Sequence, residues 1–124
     1  MNGLMLASGV LAAGTTLVHL VAGQTDPVRP LLAAPMTETS KRTLHACWHL
    51  VSVDLVLAAA VLLYLAWAKD AGAAVPRLIA AHLLAYGLVF IVMGLASAGP
   101  RGLVRLPQWA MLLPVAILAW AATV

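Results

Sequence analysis

LHACWHLVSVDLVLAAAVLLYLAW, residues 44 to 67, decides the class of this protein. At 1.5 Å per residue the run is long enough to cross a hydrocarbon core about 30 Å thick. Its second half is nearly all Leu, Val and Ala, the composition of a lipid-facing helix. Its first half holds His45, His49 and Asp54, and polar side chains are kept at such depth only when they have partners or work to do.

Three more apolar runs lie outward from this one, at about residues 3–22, 76–96 and 106–123. The whole chain has 124 residues, 64% of them hydrophobic and 9% charged, with a mean hydropathy of +1.02. That balance excludes an ordinary soluble domain. Helix is the expected conformation, because backbone groups in lipid must be satisfied within the segment and the runs lack the alternation of barrel strands. The expected fold is all-α: one domain, residues 1–124, forming a four-helix transmembrane bundle. The connection between the first two helices contains the apolar stretch PLLAAPM, residues 30–36, too short to span and therefore a loop or short interfacial helix.

Local signals support these boundaries. Pro76 and Pro107 stand near helix starts, Gly72, Gly99 and Pro100 mark turns, and Pro114 removes one backbone hydrogen bond and should bend the last helix. The first run has no Lys or Arg ahead of it and exceeds the usual signal-peptide core, so it reads as a span. The lone cysteine, Cys47, reads as a small buried packing residue. Gly9 with Ala13, Ala81 with Ala85, and Gly87 with Gly94 are spaced to let helices approach closely.

Four spans put both termini on one face. The opposite face, formed by residues 23–43 and 97–105, carries Arg29, Lys41, Arg42, Arg101 and Arg105, against Lys69 and Arg77 on the face with the termini. The positive-inside rule places the richer face in the cytoplasm and the termini in the periplasm of a bacterial inner membrane. The net charge of +3 and pI near 9.6 come from these loop cations, so nucleic acid is not an expected partner. The bilayer is one, and for so small a chain a second copy or a larger membrane complex is another.

Two polar groups follow from converting position into depth. Near the cation-rich face, His45 and His49 share one helix stripe with Ser52, and His19 on the first helix lies at a similar level. Together His19, His45 and His49 could ligate copper, zinc or iron, with Met93 and Met111 as soft donors for copper. His19 and His49 could alternatively be the axial ligands of a b-type haem. Near the midplane, Asp54, Tyr86 and His82 form a second candidate set, suited to protons or a cation.

The four-span layout resembles that of small multidrug resistance transporters, whose first helix carries a membrane-embedded glutamate. Here the first helix has no carboxylate and the membrane-embedded acid is Asp54 on the second, so that family's function is not carried over. HACWH, residues 45–49, resembles one histidine box of membrane desaturases, enzymes that need several such boxes; four histidines do not supply them. The leading expectation is a non-catalytic protein binding a metal or haem through the face-proximal histidines, for electron transfer or metal handling. The alternatives are a small transporter or channel subunit using Asp54, Tyr86 and His82, and a structural accessory subunit.

Overall fold

The computed structural model describes residues 1–68 and 72–124, so Lys69, one of the cations counted above, lies outside the described residues. Among the described residues the elements are helical throughout: α1 (Gly3–Gly23), α2 (Arg29–Ala33), α3 (Glu38–Trp67), α4 (Ala74–Ala98), α5 (Pro100–Arg105) and α6 (Trp109–Ala121). Three stretches, Gly3–Ala33, Glu38–Trp67 and Ala74–Ala98, are long and apolar enough to cross a membrane. The fourth expected span is shorter than its hydropathy: α6 has 13 residues, about 20 Å of helix. Gly99, in a left-handed conformation with φ 56°, turns the chain from α4 into α5, and the residues between α5 and α6 are not helical.

Helix α3 begins six residues before its apolar run because capping, and not hydropathy, sets its start. The Thr37 hydroxyl accepts a hydrogen bond from the Ser40 N–H at 3.3 Å, and Glu38 in the first turn pairs with Arg42 at 2.7 Å. The expected loop or interfacial helix between the first two spans is a wide π-type turn, Gln24–Val28, followed by α2. Asp26 breaks the helical path with extended φ and ψ of −148° and 108°. Helix α6 runs through Pro114.

In the core, α3 packs along α1, α1 against α6, and α6 against α4, while α3 and α4 scarcely touch. The interior is built from small and medium side chains, among them Met5, Ala59, Leu62, Leu83, Val115 and Ala119. The Ser8 hydroxyl ties α1 to α6 by donating to the Val115 carbonyl at 2.9 Å. Of the small residues singled out above, Gly9 abuts Leu63 and Gly94 abuts Gly102, where a Cβ on Gly102 would overlap the Gly94 carbonyl. Ala13, Ala81 and Ala85 point outward instead. Cys47 is likewise exposed, contrary to its reading as a buried packing residue, because α3 turns that side away from α1.

Four helix ends meet at the termini. The Asn2 backbone N–H donates to Ala66 O and its side-chain amide to Ala122 O, both at 2.9 Å, linking α1 to the last turns of α3 and α6. Arg77 at the start of α4 donates to Thr123 Oγ1 at 3.0 Å and lies 5.6 Å from the centre of the Trp120 ring. These bonds satisfy helix-end carbonyls that a membrane surface would otherwise leave to water.

Candidate functional site

The two histidine-containing groups are built differently. In the first, α1 and α3 are in continuous contact, and His19 enters that interface half-buried. Its Nε2 lies 3.0 Å from Ser52 Oγ, and the Ser52 hydroxyl donates to the Trp48 carbonyl, also at 3.0 Å. With its proton so used, Ser52 Oγ accepts from His19, so His19 carries its proton on Nε2.

Trp48 is the hub of this group. Its ring stacks on His19 at 4.8 Å, lies 6.3 Å from His45, and meets His49 edge-on at 4.9 Å. The His45 and His49 rings are 4.6 Å apart. The indole nitrogen is buried without a hydrogen-bond partner among the described residues, and Gly23 leaves room for it: a Cβ there would sit 3.1 Å from Trp48 Nε1. Trp48 occupies the space beside both His19 and His49. A plate-shaped haem held between these two would have to displace it. Among the described residues, no three His, Cys, Asp or Glu side chains lie close enough to share a metal ion. Met93 is exposed and Met111 half-buried, and Gln108 holds a buried Oε1 with no partner among the described residues.

The second group stands where helices part. Asp54 lies just past the middle of α3, and its Oδ2 is 2.6 Å from His82 Nε2 on α4. The Tyr86 ring packs 4.3 Å from the His82 ring, and its hydroxyl approaches the same carboxylate. Asp54, His82 and Tyr86 are thus brought together. The pair is not sealed: the His82 and Asp54 side chains keep 40% and 36% exposure. They head a groove of about 380 Å³ whose other walls are aliphatic: Leu57, Ala58 and Val61 from α3, and Val75, Leu78 and Ile79 from α4.

The groove has a direction. From Asp54 to Val61 and from His82 to Val75 it descends about 10 Å of helix toward the end where the termini meet. A second hollow, about 620 Å³, opens at that end and is lined by Asn2, Leu65, Pro76 and Thr123 among others.

The chain matches no known family model, no curated protein and no solved structure. A carboxyl and an imidazole in direct hydrogen bond have two forms, COOH···N and COO⁻···HN⁺, that differ only in which side holds the shared proton. A low-dielectric wall strengthens the interaction.

Proposed function

We propose that this protein is a small inner-membrane transport or channel subunit, a four-helix transmembrane bundle in which Asp54, His82 and Tyr86 handle protons. The observation that carries this reading is the 2.6 Å Asp54–His82 bond at the head of a groove between two helices that otherwise scarcely meet. A polar pair kept for packing would sit inside a closed interface. This one bridges an open one, at a depth where a charged side chain costs at least about 2.5 kcal/mol.

In the proposed cycle, a proton arriving along the groove converts the ionised Asp54 with neutral His82 into the neutral carboxyl–imidazole pair or its zwitterion. Tyr86 steadies the carboxylate form as a hydrogen-bond donor. Loss of the proton to the opposite side, or exchange for a cation, resets the pair. By the positive-inside argument, the groove faces the periplasm.

The test is proton uptake by liposomes containing the purified protein under an imposed pH gradient. The wild type should carry protons faster than empty liposomes, and Asp54→Asn should bring the rate down roughly tenfold or more. An Asp54→Asn rate equal to the wild type sinks the proposal.

A further inference from the structure

The four histidines divide by what their nitrogens do. His19 is engaged by Ser52 and His82 by Asp54, whereas His45 and His49 make no hydrogen bond among the described residues. These two lie one helical turn apart on α3, His49 exposed and His45 half-buried, near the end that bears Lys41 and Arg42. Their ring centres are 4.6 Å apart with planes tilted by 49°. A metal about 2.0–2.1 Å from one nitrogen of each ring, in adjacent coordination positions, sets imidazole centres about 4.5 Å apart. The observed spacing already approximates that arrangement.

We propose that His45 and His49 form a two-nitrogen site for a late first-row divalent cation, Cu²⁺ or Ni²⁺ ahead of Zn²⁺. Imidazole suits these ions, and a ring spacing close to that of ligands in adjacent positions at a right angle fits square-planar or octahedral coordination better than tetrahedral zinc. Among the described residues no third His, Cys, Asp or Glu lies close enough to join the pair, and Glu38, seven residues before His45, is held by Arg42. Water fills the remaining positions. The site is separate from the Asp54–His82 pair and does not depend on the transport reading.

The experiment is calorimetric titration of NiCl₂ and CuCl₂ into the untagged full chain in lipid nanodiscs, in a Cys47→Ser background that removes the exposed thiol. One ion per chain is expected. His45→Gln or His49→Gln should each weaken binding roughly tenfold or more, and His19→Gln should leave it unchanged. The combined His49→Leu, Leu50→His variant keeps the number of histidines but moves one off the shared face, and should bind as weakly as the single losses. Cu²⁺ should also quench the fluorescence of Trp48, and Trp48→Phe should remove that part of the quench. Absence of binding to the parent protein, undiminished binding in the spacing variant, or a loss in His19→Gln as large as in His45→Gln would overturn the proposal.

Discussion

The α1–α3 interface and the α3–α4 groove each hold a histidine bonded across helices, yet they treat it in opposite ways. At the first, His19 is stacked on an indole and its proton is committed to a chain ending at the Trp48 carbonyl. At the second, His82 faces a carboxylate with which it can exchange a proton, and the space beside it is open. On the proposed reading, residue type and depth do not distinguish a packing histidine from a working one. The distinction lies in whether the partner can change charge and whether the surrounding helices close.

Breaking the open site should have the largest effect. Asp54→Asn and His82→Gln should each reduce liposome proton uptake roughly tenfold or more, and the double variant should be no slower than the worse single one, because residues acting as a unit are not additive. Full additivity would mean the two residues work separately. Next in size, Val61→Trp should fill the groove below the pair and slow uptake severalfold while the melting temperature in detergent stays near that of the wild type. Unaltered uptake would show that the groove is not the route.

Perturbing the closed interface should sharpen the contrast. Ser52→Ala deprives His19 Nε2 of its acceptor and should destabilise the fold by about 0.6 kcal/mol, the average for interhelical hydrogen bonds in membranes. Thermal unfolding in detergent reads this change, and proton uptake should not move. The smallest effect belongs to Gly23→Ala: the new methyl meets Trp48 Nε1 at 3.1 Å, so the indole must shift by a few tenths of an ångström. A changed Trp48 emission with proton uptake unaltered is the expected result.

Sequence made the helical class, three long spans and the company of Asp54, His82 and Tyr86 legible, because hydropathy and rise per residue are one-dimensional quantities. The start of α3 was missed, since Thr37 and Glu38 act through caps that hydropathy ignores. The contacts of Trp48 were not legible, because they depend on Gly23 and His19 opposite it, on another helix. The parting of α3 from α4 was invisible for a related reason. Both are apolar enough to pack on anything, but α3 is attached to α1 and α4 to α6, so the two are linked mainly through the α1–α6 contact.

The most direct test of the central claim is infrared difference spectroscopy of the protein in lipid while the pH of the bathing buffer is stepped. The account predicts a carboxyl band that responds to the step, vanishes in Asp54→Asn and shifts in His82→Gln, since the two side chains share one proton. A carboxyl at Asp54 that never responds to the buffer, or a band indifferent to the loss of His82, would contradict it.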